Sequence, residues 1–450
     1  MENIEPWRFI NMTILGDILS NLFEHSATEY PYSHKNDGSV EKLCHTLLSQ
    51  QGEVLGVSIA SKILAKYDQM DDINKIEFFQ FLLIHMDIDI DGVQNALILY
   101  QKNRSTKNLT KYLNMSETKR RELLRRLNQG VGSTSRLVSM RKDLIRLAVE
   151  NPELKRADLD FKQLFRSWFN NGFLVLRPIS WASPAGILEK IIAYEAVHAI
   201  DSWEELRRRL EPADRRCFAY FHPAMPDEPL IFVEVALMVD IPISIQTVLA
   251  ENRDIIPAHK AKTAVFYSIS NCQKGLSGVS FGNALIKNVA AQLSKEIPNL
   301  TTFVTISPIP KLAFWAKKKG HDLSEVFNDE LLKITAQYLL EEKDKDNIVF
   351  DPVARFHLNN GAYIHAIHAK ADTSPRGLKQ SFGTMVNYVY DLRAVSLNHE
   401  KFAIKGQIVS SKAVKALAKS KRKKKSYKFY KWRFLLPGTS EPRLDRRPKT

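Results

Sequence analysis

Ser307 and His357 are the first candidates for chemistry in this sequence. Ser307 opens Ser307-Pro-Ile-Pro310, in which two prolines end a predicted strand at the point where the serine emerges. His357 lies just before an Asn-Asn-Gly turn, and its spacing does not distinguish it from an ordinary structural histidine. The carboxyl ends of parallel strands are where α/β proteins bind ligands, which favours a functional Ser307. A simple strand-ending turn is the alternative.

A glycine-rich segment, residues 273–283, separates a predicted strand over 263–270 from a predicted helix. Gly275, Gly278 and Gly282 would let backbone N–H groups approach a phosphate at the start of that helix. The spacing matches neither a Walker loop nor a Rossmann fingerprint. Two interpretations stay open: a tight strand-to-helix turn, or the pyrophosphate loop of an enzyme that acts on acyl-CoA.

Other candidate side chains have simple structural explanations. Tyr390, in Asn387-Tyr-Val-Tyr390, has the alternation of a packed core strand. Lys190 lies on an amphipathic helix, where a solvated or ion-paired lysine is the ordinary case. His365 and His368 fall on opposite faces of a predicted strand, so they are poor joint metal ligands. The sequence therefore predicts no metal and no prosthetic group.

Taken in order, these segments resemble the malonyl-CoA decarboxylase family over about residues 180 to 392. Ser307-Pro-Ile-Pro310 and Phe356-His-Leu-Asn-Asn-Gly-Ala362 are the most specific matches. The others are Ser183-Pro, Ile187-Leu-Glu-Lys190, Glu195-Ala-Val-His198, Phe266-Tyr-Ser-Ile-Ser270, Gly275-Leu-Ser-Gly-Val279, Leu285-Ile-Lys287 and Asn387-Tyr-Val-Tyr390. The resemblance implies a homotetrameric enzyme that converts malonyl-CoA to acetyl-CoA and carbon dioxide.

The resemblance also implies roles for individual residues. Ser307 and His357 would form the catalytic pair, Lys190 would be an essential lysine, and Tyr390 would lie near the acyl group. Together with the pair, the following residues would bind the CoA phosphates and the acyl group: Ser277, Gly278, Val279, Ser280, Phe281, Gly282 and Asn283. Ser280 stands where the usual acyltransferase loop has its first glycine and where some family members have an acid, so no role of that acid is carried over.

The elements that must position these residues fall into two predicted domains. Residues 1–169 are predicted to form a helical bundle for packing or assembly, because leucines recur at helical spacing over 15–22, 123–127 and 137–147. Asp158 is predicted to cap a further helix. Residues 170–411 are predicted to form an α/β catalytic domain, which the resemblance makes a GNAT-like acyltransferase fold.

Within the second domain, short β-branched and aromatic runs predict strands over 173–176, 230–238, 263–270 and 300–306. The order strand, glycine-rich loop, helix, strand over the last two predicts that they lie side by side and parallel.

The net charge of +15 raises the possibility of a nucleic-acid partner. Residues 412–433 hold eleven Lys or Arg and no acid, and the rest of the chain carries only +4. Residues 412–450 are therefore predicted to be a basic, flexible tail, and any nucleic-acid binding would be non-specific and confined to it. Three widely spaced cysteines, no apolar run long enough to span a bilayer and an acidic N-terminus predict a cytoplasmic protein without a membrane partner.

Two other functions are compatible with parts of the sequence. An acyl-CoA-dependent N-acyltransferase would use the same fold and loop, but it would need a base for an amine and an open acceptor groove. A binder of nucleic acid or acidic surfaces would work through residues 412–433 and would show steep salt dependence, yet it leaves the motifs of 170–392 unexplained.

Overall fold

The structure is a computed structural model that describes residues 38–49, 52–279, 285–321, 323 and 328–419. The predicted helix over 15–22 lies outside these residues, as do Ser280, Phe281, Gly282 and Asn283 and the tail beyond Lys419.

Helices make up the described part of the N-terminal domain. They are α1 (Val40–Ser49), α2 (Glu53–Asp68), α3 (Asp72–His85), α4 (Ile90–Lys102), α5 (Thr106–Met115), α6 (Lys119–Leu127), α7 (Ser133–Leu147) and α8 (Lys155–Trp168). The leucine spacing predicted α6 and α7, whose leucines lie in the core. Asp158 does not cap α8, since that helix begins three residues earlier, after a 3-10 turn at Pro152–Leu154.

The second domain alternates strands and helices. Its strands are β1 (Val175–Ile179), β2 (Arg215–Phe221), β3 (Ile231–Met238), β4 (Thr263–Asn271), β5 (Thr302–Thr305), β6 (Ser307–Pro308), β7 (Tyr363–His368) and β8 (Met385–Val389). Its helices are α9 (Ala185–Tyr194), α10 (Trp203–Leu210), α11 (Ile245–Leu249), α12 (Leu285–Glu296), α13 (Leu312–Lys318), α14 (Asn328–Glu341), α15 (Pro352–Asn359), α16 (Pro375–Ser381), α17 (Val395–Lys405) and α18 (Lys412–Lys419).

These strands form one mixed sheet in the order β1-β2-β3-β4-β5-β8-β6, with β7 also paired to β8. The pairs β1–β2, β2–β3 and β3–β4 are antiparallel, whereas β4 and β5 are parallel and α12 lies between them in the chain. The parallel pair predicted from the sequence is therefore confirmed. A helical domain followed by this mixed sheet confirms the predicted fold class, an N-terminal helical domain and a GNAT-like acyltransferase fold.

Strand β8 organises the region around Ser307. It pairs antiparallel with β5 through Val389 and with β6 through Val386, which lies opposite Ser307. Along its other edge β8 pairs with β7, the strand that follows α15. The sheet therefore brings the end of β6, the end of α15 and the segment after β8 together, although they are far apart in the chain.

The described start of the predicted tail belongs to the folded body. Residues 412–419 form α18, which packs on α14 and buries Val414 and Ala418 in the main hydrophobic core. Gln337 of α14 donates a hydrogen bond to the carbonyl of Ala418 at 3.1 Å. The predicted boundary at 412 is therefore placed too early, because this segment has apolar residues at helical spacing among its lysines.

One hydrophobic cluster runs through both domains, from Val40 in α1 to Ala418 in α18. Among the described residues, no helix combines the length and apolar character needed to cross a membrane.

Candidate active site

Ser307 lies just beyond the parallel pair: β5 ends at Thr305, and Ser307 begins the short strand β6, in which Pro308 also pairs with β8. Its backbone pairs with Val386 of β8, and its side chain is 95% removed from solvent. The Ser307 hydroxyl donates a hydrogen bond to Oγ1 of Thr305 at 2.8 Å. Thr305 is fully buried, so the serine hydroxyl has a fixed direction.

His357 lies in the last turn of α15 and faces Ser307. Its Nε2 is 3.0 Å from the Ser307 hydroxyl, and its ring is buried. Helix α15 begins with Asp351 and Pro352: the Asp351 carboxylate accepts from the N–H groups of Val353 and Ala354, and proline occupies the first turn. The structure thus brings together the two residues that the resemblance paired.

Tyr390 completes a hydrogen-bonded row on the other side of the imidazole. Its hydroxyl lies 2.8 Å from Nδ1 of His357, and the side chain is buried. The ring of Tyr388 stacks on the imidazole with centroids 4.5 Å apart, which fixes the plane of the ring. Three of the residues predicted to be functional, Ser307, His357 and Tyr390, therefore form one cluster.

Burial decides the charge of this cluster. It lowers the pKa of His357 to about 3, because the surroundings of the ring disfavour the imidazolium. Burial also raises the pKa of Tyr390 well above its usual value, so its hydroxyl stays protonated. The site without substrate therefore holds a neutral imidazole between two neutral hydroxyl groups.

The direction of the hydrogen bonds follows from this neutrality. A neutral imidazole donates at one nitrogen and accepts at the other. Because the Ser307 hydroxyl donates to Thr305, it accepts from Nε2–H of His357, and Nδ1 then accepts from the Tyr390 hydroxyl. Along the row Tyr390, His357, Ser307, Thr305, each side chain thus donates a hydrogen bond to the next one. His357 therefore faces Ser307 with its Nε2–H.

Asp351 connects the two halves of the pair. Besides capping α15, its carboxylate accepts from the Tyr338 hydroxyl at 3.1 Å and from the N–H of Lys311 at 3.4 Å. Lys311 directly follows Ser307-Pro-Ile-Pro310. One buried carboxylate therefore ties the serine segment to the start of the helix that bears His357.

The described part of the predicted phosphate loop packs tightly against the helical domain. Gly278 has a positive φ of 73°, and a Cβ at Gly275 would lie 1.9 Å from the carbonyl oxygen of Val138. Arg141 of α7 donates to the carbonyls of Gly275 and Ser277 at 2.6 and 2.9 Å. Glycine is thus required at 275 for the close packing of this turn against α7.

Lys190 is not joined to this cluster by any contact among the described residues. Its ammonium forms an ion pair with Glu228 at 2.7 Å and donates to the carbonyl of Asp227 at 3.0 Å. Both partners lie between β2 and β3. Lys190 is therefore ion-paired, which is one of the ordinary cases expected from the sequence. The essential role that the resemblance implies for it stays a prediction.

Several residues of the buried cluster were not predicted from the sequence. Thr305 and Tyr388 looked like ordinary strand residues, although Tyr388 lies within a matched motif. Asp351-Pro352 is a recognisable helix start that could have placed His357 on a helix. Within the described residues, no group of three or more His, Cys, Asp or Glu side chains has the geometry of a metal site.

The fold and this buried row define an α/β protein in which a serine and a histidine from distant segments are in contact. The family model described as the malonyl-CoA decarboxylase C-terminal domain matches residues 172–330 and 315–428, and the N-terminal domain model matches 87–169. The chain belongs to the malonyl-CoA decarboxylase family. The match continues beyond residue 392, where the resemblance seen in the sequence ended.

Solved and curated relatives agree with this assignment. The crystal structure of malonyl-CoA decarboxylase from Agrobacterium vitis is 44% identical, covers 85% of this chain and 100% of its own, and has a TM-score of 0.80. That from Rhodopseudomonas palustris is 42% identical, covers 83% and 98%, and has a TM-score of 0.78. The mitochondrial malonyl-CoA decarboxylase of Anser anser anser is 35% identical over 345 residues, which cover 65% of this chain and 68% of the relative.

Proposed function

We propose that this chain decarboxylates malonyl-CoA to acetyl-CoA and carbon dioxide, and that Ser307 and His357 carry the chemistry. Membership of the malonyl-CoA decarboxylase family supports the reaction. The observation that carries the residue assignment is the 3.0 Å contact between the Ser307 hydroxyl and Nε2 of His357, buried next to the end of the parallel strand pair.

The reaction needs a site that stabilises an enolate and then protonates it. Loss of carbon dioxide from a malonyl thioester leaves its electron pair on the α-carbon and the thioester oxygen. Donors fixed in advance lower the barrier for such charge, by about 3 kcal/mol for one well-placed group. Nε2–H of His357 is a donor of this kind, because the Tyr390 hydroxyl at Nδ1 keeps the ring in the tautomer that carries its proton at Nε2.

The proton comes from His357 in this mechanism. An opposite charge next to an imidazole favours its protonated form, so the malonyl carboxylate raises the low pKa of His357 when substrate binds. The imidazolium formed on binding gives its proton to the α-carbon after carbon dioxide leaves, and the ring returns to its neutral state. One proton is consumed for each acetyl-CoA formed, as the overall reaction requires. Ser307 orients the imidazole against the carboxylate.

The test uses purified protein, malonyl-CoA and detection of both products. Equal amounts of acetyl-CoA and carbon dioxide are expected, and the yield of acetyl-CoA should not depend on an added amine. Transfer of an acyl group to the amine, without release of carbon dioxide, would support the N-acyltransferase and contradict this proposal. Turnover that is lost on chelation and restored by zinc or magnesium would contradict the metal-free mechanism.

The homotetramer, the cytoplasmic location and the absence of a nucleic-acid partner stay predictions. Static light scattering of the purified protein tests the first of them, with a mass near four times 51.5 kDa expected.

A further inference from the structure

We propose that the helical domain completes the CoA site: Lys162 of α8 binds the pyrophosphate of CoA, and Arg141 of α7 holds the glycine-rich turn in place for it. The inference rests on the proposed function, because it assumes that the turn at Gly278 receives a CoA thioester. It assigns to the helical domain a role in substrate binding beyond packing or assembly.

The turn is fixed from the side of the helical domain. Arg141 is 1% exposed and donates to two carbonyls of the turn, Gly275 and Ser277. Its Nε binds the Asp158 carboxylate of α8 at 2.7 Å, so its own position is fixed as well. With two carbonyls drawn toward α7, the turn keeps one backbone conformation, and a preorganised turn binds a phosphate without an ordering cost.

Lys162 stands directly against this turn. A Cβ at Gly278 would lie 2.9 Å from Cε of Lys162 and 3.0 Å from its Nζ, so the ammonium group occupies the space beside this glycine. Asp158 and Lys162 are four residues apart and share one face of α8, so the same helix face holds the turn and presents a cation to it. A ligand phosphate at Gly278 would lie within reach of that cation.

The positive charge at Lys162 is left available for a ligand. In the part of the chain that the structure describes, neither Lys162 nor Arg166 forms an ion pair or hydrogen bond. The neighbouring acids have other partners: Asp158 is bound to Arg141, and Asp160 is bound to Arg120 and Arg121. No carboxylate among these residues competes with an incoming phosphate.

Lys162 also lies at the edge of a wider basic cleft of about 540 Å³. Its lining contains two acidic side chains and five basic ones, which are Arg120, Arg121, Arg156, Lys162 and Arg166. A surplus of positive charge attracts a ligand that carries several phosphate charges, as CoA does. The pyrophosphate is assigned to Lys162 because its ammonium lies beside Gly278, whereas Arg166 lies one helical turn further along α8.

The experiment compares Lys162→Ala with Lys162→Arg and with the control Lys142→Ala, which removes an exposed lysine from the neighbouring helix α7. Decarboxylation is measured with malonyl-CoA and with malonyl-pantetheine, a thioester that lacks the nucleotide. Lys162→Ala should raise KM for malonyl-CoA about tenfold with kcat within twofold, since one charge-assisted contact to phosphate is lost. Lys162→Arg should restore most of the affinity. Lys142→Ala should behave like the wild type, and malonyl-pantetheine should not distinguish the variants.

Calorimetric titration with CoA and 3′-dephospho-CoA keeps the test independent of turnover. Lys162→Ala should lose the same factor of affinity for both ligands, because the pyrophosphate is common to them. A loss confined to CoA would move the contact to the 3′-phosphate and overturn the assignment. An affinity equal to that of Lys142→Ala, or an equal rise in KM for malonyl-pantetheine, would show that Lys162 does not bind the nucleotide. If the wild type binds CoA but does not decarboxylate malonyl-CoA, the proposed function fails while the role of Lys162 can still be read from binding.

Discussion

The Tyr390 hydroxyl lies 2.8 Å from Nδ1 of His357, on the side of the ring away from Ser307. This bond decides which nitrogen carries the proton, because a donor at Nδ1 leaves Nε2 as the N–H that faces Ser307. In the proposed mechanism Tyr390 therefore acts on the reaction through His357.

Tyr390→Phe should lower kcat about tenfold or more, since Nδ1 loses its donor and the ring loses its preferred tautomer. Tyr388→Phe is the matched control: Tyr388 is equally buried and stacks on the same imidazole, but its hydroxyl has no hydrogen-bond partner among the described residues. That variant should keep nearly full turnover and equal or higher stability. Steady-state kinetics on malonyl-CoA and thermal unfolding give both readouts. Equal kinetic losses in the two variants would remove the special role of Tyr390.

Asp351 should contribute strongly to stability as well as to the position of His357. Asp351→Ala removes the cap of α15 and leaves the buried Tyr338 hydroxyl without its acceptor, for a loss of about 3 kcal/mol in the free energy of unfolding. Asp351→Asn keeps a side-chain oxygen that can cap the helix, so it should lose clearly less. Urea unfolding of both variants measures the difference. A loss below about 0.5 kcal/mol for Asp351→Ala would show that the carboxylate does not hold this junction.

The buried neutral His357 should make the protein less stable in mild acid. In the unfolded chain a histidine has a pKa near 6.5, whereas in the folded protein the pKa of His357 is lowered to about 3. Between these values the unfolded chain binds the extra proton, so the stability present above pH 6.5 is lost as the pH falls toward 3. The contribution has a slope of at most about 1.4 kcal/mol per pH unit.

His357→Gln should therefore show a shallower fall in unfolding free energy from pH 7 to pH 5 than the wild type. His198, whose pKa is lowered to about 4, contributes equally to both proteins. If the unfolding free energy of the two proteins falls with the same slope, His357 is exposed or charged in the folded protein and not buried and neutral.

Two truncations separate helix α18 from the rest of the basic segment. Removal of residues 420–450 should leave turnover and stability near those of the full chain, because this segment is part of the predicted basic tail and contributes no residue to the candidate site. Removal of residues 412–450 should cost about 2–3 kcal/mol of stability, since it also exposes the surface of α14 that Val414 and Ala418 cover. Thermal unfolding and turnover of the two truncated proteins check this. Equal stability would show that α18 is dispensable.

The sequence predicted the parts of the site that depend on local pattern. The prolines after a β-branched run predicted a strand end near Ser307, and β5 does end two residues earlier, at Thr305. The glycine-rich segment between a strand and a helix predicted the parallel pair of β4 and β5. Residue types and order also carried the resemblance from which the Ser307–His357 pair was inferred.

The sequence could not predict how distant segments meet. Fifty residues separate Ser307 from His357, and their contact depends on the pairing of β6 with β8 and on the start of α15. Arg141 looked like any basic residue on an amphipathic helix, and only the structure shows that it is buried against the glycine-rich turn and bonded to it. In the same way, the lysines of residues 412–419 suggested a solvated tail, although two apolar residues of this segment are enough to pack a short helix, α18, on the core.

The most direct test of the account is the turnover of Ser307→Ala, His357→Ala and the double variant on malonyl-CoA, with CoA binding measured alongside. His357→Ala should lower kcat by about 10² to 10⁴, the usual contribution of a positioned general acid. Ser307→Ala should also lose activity, and the double variant should be little worse than the poorer single one, because residues that act as a unit give non-additive losses. CoA affinity should stay near that of the wild type in all three, since the proposed site for the nucleotide lies at the glycine-rich turn and not at this pair. If His357→Ala keeps more than about half of the activity, or if the two single losses multiply in the double variant, the Ser307–His357 pair is not the catalytic unit.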